Sequence, residues 1–261
     1  MLDVLRLPVT QDHLLKMTKE ERALFLVLGH AANQVNALWK LVIILTNGTD
    51  DDPVKQRLEG AQTQIFVRLT IGAMREALKL VEKRFVQSPL GREFVPLLNL
   101  QASEALGRLK KRFGKLDMFV VIRDSYAFHH PTTDEMEEAF QRANKSEYSE
   151  DADWAVYFNK ALLNTFFFVS DFVFVHGMAN ALGEDDINEG FRKMMGELAP
   201  VASDLSEFTF GFAAAIFKKH FGPELLMTIV AKVGDAPNID DLRLPFFVER
   251  RVSGTPEDSG L

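Results

Sequence analysis

Residues Thr18 to Gly48, TKEERALFLVLGHAANQVNALWKLVIILTNG, decide how the rest of the chain is read. Thr18 is followed three positions later by Glu21, the spacing of a capping box, in which each side chain satisfies an orphan backbone N–H of the other. Apolar residues then recur at helical spacing, so the segment predicts one long helix from Lys19 to Thr46. Asn47-Gly48 stops it, because both residues tolerate the left-handed backbone that closes a helix. Asp52-Pro53 opens a second helix, with an N-cap and a proline at the first helical position. That helix runs to about Val86, with Leu58, Ile65, Leu69, Met74, Leu78 and Val81 on its buried side. Two long helices joined by a short polar turn pack antiparallel by default. The expected fold class is all-α, a bundle of long antiparallel helices.

Working outward, Ser88-Pro89-Leu90-Gly91 breaks the second helix, a short helix covers Arg92 to Leu98, and another spans Ala102 to Phe113 and ends at Gly114. Met118 to Ile122 has β-branched content, but a lone strand would have no partner there, so helix is expected. His130-Pro131 ends that block. Thr133-Asp134-Glu135 caps a helix to about Asn144, and Lys145 to Asp153 is a polar, acidic loop. A long Phe-rich helix is expected from about Ala152 to Ala181, stopping at Gly183. Shorter helices are expected over Asp185 to Leu198, Pro200 to Phe221 and Pro223 to Val233. After Gly234 the chain becomes irregular, and residues 250–261 have the composition of a flexible tail. The seam at Lys145 to Asp153 separates a helical region, 1–145, from a Phe-rich region, 146–249; these are two units or parts of one domain.

Composition narrows the function classes. With 261 residues and 47% apolar content, the chain can bury a sizeable core. Its 22 Phe against 3 Tyr and 2 Trp favour rings that fill a core or a subunit interface without needing a hydrogen-bond partner. The absence of cysteine excludes disulfides, thiolate metal sites and a cysteine nucleophile, and fits a reducing, cytoplasmic setting. The start, Met1 to Arg6, lacks the pattern of a signal peptide, and the apolar run Ala161 to Val175 is interrupted by Asn164, Ser170 and Asp171, so no membrane span is expected. A net charge of −7 argues against a general nucleic-acid coat but not against a local site acting on one phosphate.

One segment carries chemistry: Val121-Ile122-Arg123-Asp124-Ser125-Tyr126-Ala127-Phe128-His129-His130. Histidine exchanges protons near neutral pH, and arginine stabilises phosphoryl oxygens without losing its own proton. On an ideal helix Arg123 and His129 point about 240° apart, so one chain clamps a phosphate between them only if the helix distorts. Two copies across a twofold axis would pool their residues in one cleft.

The segment resembles the HEPN superfamily, in which an Arg and usually a polar residue precede a His by four to six intervening positions. Here these are Arg123, Asp124 and His129, and the Ala127-Phe128-His129 ending is similar to versions in uncharacterised bacterial members. The resemblance implies an all-α bundle that dimerises through the motif helices and, in many members, cuts RNA without a metal or other cofactor. It also implies a defence or toxin–antitoxin setting, with RNA as substrate and an antitoxin or other protein as partner. In that reading His129 is the general acid or base, Arg123 binds the phosphate, and Asp124 and His130 assist. The polar residue is Asp124, where Asn is commoner. The alternative is a non-catalytic helical interaction protein. In that case Arg123 pairs with Asp124 or a nearby Glu, and His129-His130 is a polar helix end that complements the helix dipole.

Other features weigh less. His30, Asn33, Asn36 and Lys40 form a polar stripe on the first long helix, either lining the same cleft as Arg123 or simply facing solvent. Arg108, Lys110, Lys111, Arg112 and Lys115 form either a phosphate-attracting rim beside Arg123 or a solvated face. Adjacent His129-His130, and Asp171 with His176, have poor spacing for a helical metal site, so no metal is expected. Phe166, Phe167, Phe168, Phe172 and Phe174 predict a buried helix, with Phe208, Phe210, Phe212, Phe217 and Phe221 on a second helix packed against it as a structural or dimerisation unit.

Overall fold

A computed structural model describes residues 2–48, 51–114, 118–146, 154–160, 164–222 and 228–249. The order is β1 (Leu2–Arg6), α1 (Gln11–Lys16), α2 (Lys19–Thr46), α3 (Pro53–Leu80), α4 (Pro89–Phe94), α5 (Leu100–Lys110), α6 (Met118–Ile122), α7 (Thr133–Lys145), α8 (Phe168–Ala181), α9 (Ile187–Phe221) and β2 (Thr228–Val233). The fold is all-α, with one two-stranded ribbon among the described residues. No helix among them is long and apolar enough to cross a membrane.

The local signals act as their chemistry requires. The Thr18 hydroxyl accepts from the Glu21 N–H at 3.2 Å while the Glu21 carboxylate accepts from the Thr18 N–H at 2.7 Å. The Asp52 carboxylate accepts from the Val54 N–H at 2.8 Å, ahead of Pro53. The Thr63 hydroxyl reaches the Leu45 carbonyl while His30 shares a groove with Glu76, so α2 and α3 run antiparallel. The second helix continues past Leu80 as a widened π-turn over Val81–Val86. The last helix before the seam is capped by Thr132, one residue earlier than the sequence suggests, in a further capping box with Glu135.

Helix α9 is the mast of the bundle. Ser206 meets Asn36, and Lys219 and His220 meet Glu21, so α9 runs antiparallel to α2. It is also antiparallel to α5, where Asp204 pairs with Arg108 and Glu197 with Arg112. Gly211 is what lets α5 so close: a Cβ there would lie 2.1 Å from the Ala102 Cβ. Phe85 lies edge-on to Phe208 and Phe212, Phe94 meets Phe212, and Phe25 meets Phe217. Each fully buried ring of this kind stabilises by about 1.5–3 kcal/mol. One apolar cluster draws residues from Met17 to Phe217. A smaller one, under α7 and α8, holds Ala139, Ala143, Phe172 and Val173.

Three expectations are corrected. A break before Pro200 does not occur, and α9 is continuous for 35 residues. An interior proline costs about 3 kcal/mol and leaves the carbonyl four residues back without a donor. Here Leu198, Val201, Ala202 and Leu205 are buried on both sides of Pro200, and that burial outweighs the proline.

The Phe-rich helix begins at Phe168, not near Ala152. Residues 154–160 and 164–167 include instead an antiparallel bridge, in which Tyr157 and Phe166 exchange two N–H to carbonyl bonds of 2.8 Å. Residues 147–153 and 161–163, which include the start of the expected helix and most of the acidic loop, lie outside the described residues. Aromatic residues suit extended backbone, and an all-round apolar run reads the same as strand or helix. Asn164 then clasps Val248, donating to its carbonyl at 2.9 Å and accepting its N–H at 3.0 Å. Phe167 is exposed rather than buried, and the rings of α9 pack chiefly on Phe25, Phe85 and Phe94 rather than on the Phe-rich helix.

The expected helix over Pro223 to Val233 is, where described, strand β2, pairing antiparallel with β1 in a register that places Val4 beside Ala231. Residues 223–227 and the tail 250–261 lie outside the described residues. Met118 to Ile122 is helical, as the missing strand partner led one to expect.

Candidate functional site

The Arg123 segment is held by one face of α3. Arg68, Gly72 and Glu76 follow each other at four-residue spacing, so they line up along the helix. Arg68 pairs with Asp171 of α8 at 2.8 Å, and its guanidinium lies over the Phe174 ring. Gly72 receives the segment itself: a Cβ there would meet the Phe128 ring at 2.8 Å and the Ala127 Cβ at 3.1 Å. Glu76 faces Arg123, with Oε1 3.0 Å from Nε. On the other side, Tyr126 is buried against Gly177 of α8, where a Cβ would lie 2.8 Å from the Tyr126 hydroxyl.

At Arg123 the helix does distort. Residues Arg123–Ala127 form a widened turn, closed by the Phe128 N–H donating to the Arg123 carbonyl five residues back. Such π-turns are uncommon and are enriched at functional sites. Phe128 leaves the helix, and His129 and His130 follow it onto the outer surface.

Arg123 is the anchor of the segment. Its Nη1 donates to Asp124 Oδ1 at 2.6 Å, and its Nε forms an ion pair with Glu76 that is close but not aligned as a hydrogen bond. The Asp124 hydrogen bond, with Glu76 beside it, holds the guanidinium firmly protonated. The reverse holds for Asp124: the Arg123 hydrogen bond first, then the nearby charges of His129 and Lys79, keep its carboxyl below the usual carboxylate range. The structure therefore brings Arg123, Asp124 and Glu76 together, with His129 in electrostatic reach of Asp124. The groove that holds Glu76 and Lys79 is lined by His30, Ala73, Lys83 and Arg84 rather than by Arg123 or His129.

The secondary candidates separate. His30, Asn33, Asn36 and Lys40 are exposed, and Asn36 accepts from Ser206. His30 touches the Arg123 neighbourhood only through the groove it shares with Glu76. The basic residues of α5 do not rim Arg123. Arg108 and Arg112 turn to α9, Lys110 is exposed, and Lys115 lies outside the described residues. Among the described residues, no three His, Asp or Glu side chains come together as metal ligands.

Three polar side chains, exposed Glu76, half-buried Arg68 and buried His176, carry no strong local sequence signal. Glu76 and Arg68 act on residues far along the chain. His176 is buried against Phe172, its Nε2 is without a hydrogen-bond partner among the described residues, and burial holds its pKa below the ordinary value. Glu21, expected only as a helix cap, is fully buried and also binds Lys219 and His220.

Comparison with family models, with curated proteins and with solved structures gives no match to this chain.

Proposed function

We propose that the chain is a non-catalytic helical interaction protein of HEPN-like character, and that the Arg123–His130 segment is a contact surface for a second copy. The observation that carries this reading is the double clamp on Arg123 by Asp124 and Glu76. A guanidinium already neutralised by two carboxylates attracts a phosphodiester only after giving one of them up. His129 stands on the surface, and the half-exposed Phe128 ring beside it supplies apolar contact area.

A second reading is a metal-independent endoribonuclease of a defence or toxin–antitoxin type, in which a homodimer supplies the missing wall. The exposure of His129 beside Asp124, and the widened turn at Arg123, favour it. RNA carries its own nucleophile, the 2′-hydroxyl, so a His129 acting as acid or base and an Arg123 on the phosphoryl oxygens would suffice, with Asp124 and His130 assisting.

One experiment separates the two. The wild-type chain, His129→Ala and Arg123→Ala are incubated with a mixed pool of single-stranded and structured RNA in EDTA, and their oligomeric states are measured by light scattering. Intact RNA, with a wild-type dimer that Phe128→Ser converts to monomer, supports the interaction protein. Cleavage by the wild type that both variants lose replaces it with the ribonuclease. A monomeric wild type that leaves RNA intact overturns the self-contact.

A further inference from the structure

A cavity of about 530 Å³ lies between the end of α5, the first turn of α6 and the middle of α9. That volume falls in the range of small-molecule sites, roughly 300–1,000 Å³. Its charged wall is unequal: Arg108, Lys111, Arg112 and Lys193 face two carboxylates, Glu197 and Asp204. Glu184 matches Lys193, and Glu104 and Glu207 lie near Arg108, so the surplus of cations is local to Lys111 and Arg112.

The carboxylates do not exhaust these cations. Asp204 uses one oxygen, 2.8 Å from Arg108, and Glu197 one oxygen, 2.5 Å from Arg112. A guanidinium has five N–H donors in a fork that matches phosphate, so each arginine keeps donors to spare. Arg112 is further fixed by lying over the Phe119 ring, 5.8 Å from its centroid. Lys193 is bound to the Leu182 carbonyl and to Glu184. Lys111 is exposed and has no partner among the described residues. Between the charged groups, Met118 and Pro200 give an apolar wall.

We propose that this cavity binds a small organic phosphate monoester, its dianionic head held by Lys111, Arg108 and Arg112 and its body set against Met118 and Pro200. A dianion matches several converging cations better than a single carboxylate does. The inference does not rest on the role of Arg123, which lies outside this cavity.

The test is calorimetric titration of the full chain, at fixed ionic strength near 0.15 M, with phenyl phosphate, inorganic phosphate, benzoate and phenol. Phenyl phosphate binds, more tightly than inorganic phosphate or benzoate, and phenol does not. Lys111→Glu weakens phenyl phosphate about tenfold or more, a loss of one charge-assisted contact. Lys110→Glu, the same charge change on the exposed neighbour, changes binding by less than about twofold because it is screened. Helical circular dichroism and unchanged melting show that both variants are folded. Absence of phenyl phosphate binding, equal binding of benzoate, or equal weakening by the two lysine variants overturns the site.

Discussion

The Glu76 carboxylate on α3 lies 3.0 Å from the Arg123 Nε, so the residue with the most chemical promise is tied to a helix far from it in the chain. Both side chains keep part of their surface in water, which screens the pair. In a double-mutant cycle with Glu76→Gln and Arg123→Gln, the coupling energy is about 0.5–1 kcal/mol. Urea unfolding of the four proteins measures it. Additive effects would mean that the contact does not anchor the segment.

Gly211→Ala is expected to destabilise strongly. The new methyl would start 2.1 Å from the Ala102 Cβ, which is fixed to the backbone of α5 and cannot rotate away. The gain of about 1 kcal/mol in helix propensity is outweighed by separating two packed helices, and a net loss of about 2 kcal/mol or more follows. Gly72→Ala meets the half-exposed Phe128 ring at 2.8 Å and the Ala127 Cβ at 3.1 Å, both on the surface segment rather than on a second packed core helix, so the segment shifts instead. Its effect on the melting temperature is small, but it displaces the segment, read as a rise in amide exchange over residues 123–128.

Acid sensitivity should map to Glu21. Burial pushes this carboxyl upward, but Lys219, the Thr18 N–H and His220 together outweigh burial and hold it below its ordinary value of 4.5. A carboxyl depressed in the folded state adds stability that is complete above 4.5 and is lost as pH falls through the lower folded value. Glu21→Gln therefore costs about 2 kcal/mol at pH 7, and the gap to wild type narrows as the solution is acidified below that range. Denaturant midpoints across the acid range check it; a constant gap would show that the cluster is not linked to pH.

His176 gives the opposite kind of variant. Its Nε2 has no partner among the described residues, and burial keeps the imidazole below its ordinary value of 6.5. The unfolded chain takes up a proton near 6.5 and the folded chain only at lower pH, so the wild type loses stability as pH falls below that value. His176→Phe keeps an aromatic ring beside Phe172 and removes an unpaired polar atom. It should leave stability at pH 7.5 equal or higher, by up to about 1 kcal/mol, and flatten the decline toward pH 5.5. A wild-type slope retained in the variant would assign the decline to other groups.

What could be read from the sequence was local. The capping box at Thr18 and the Asp52-Pro53 start are pairs of groups three or fewer residues apart, and their signals survive folding almost unchanged, while the cap expected at Thr133 shifts by one residue to Thr132. The errors share a different origin. Thr228 to Val233 is apolar under either period, and only the arrival of Leu2 to Arg6 beside it selects strand. Pro200 reads as a helix stop until the burial on both sides of it is known. At the candidate site, the Arg123–Asp124 contact is between neighbours and was anticipated, whereas Glu76, Gly72 and Gly177 meet the segment through tertiary packing that no spacing rule encodes.

The β1–β2 ribbon has a consequence for how the molecule reaches its shape. The helices close contacts along the chain and can form early, but this pairing joins residues separated by nearly its whole length. During synthesis β1 emerges before β2 and waits, its strand N–H and C=O groups unpaired, until β2 has left the ribosome. The clasp is therefore among the last steps of assembly, and the interval before it closes is when a nascent chain offers an unpaired edge to its neighbours.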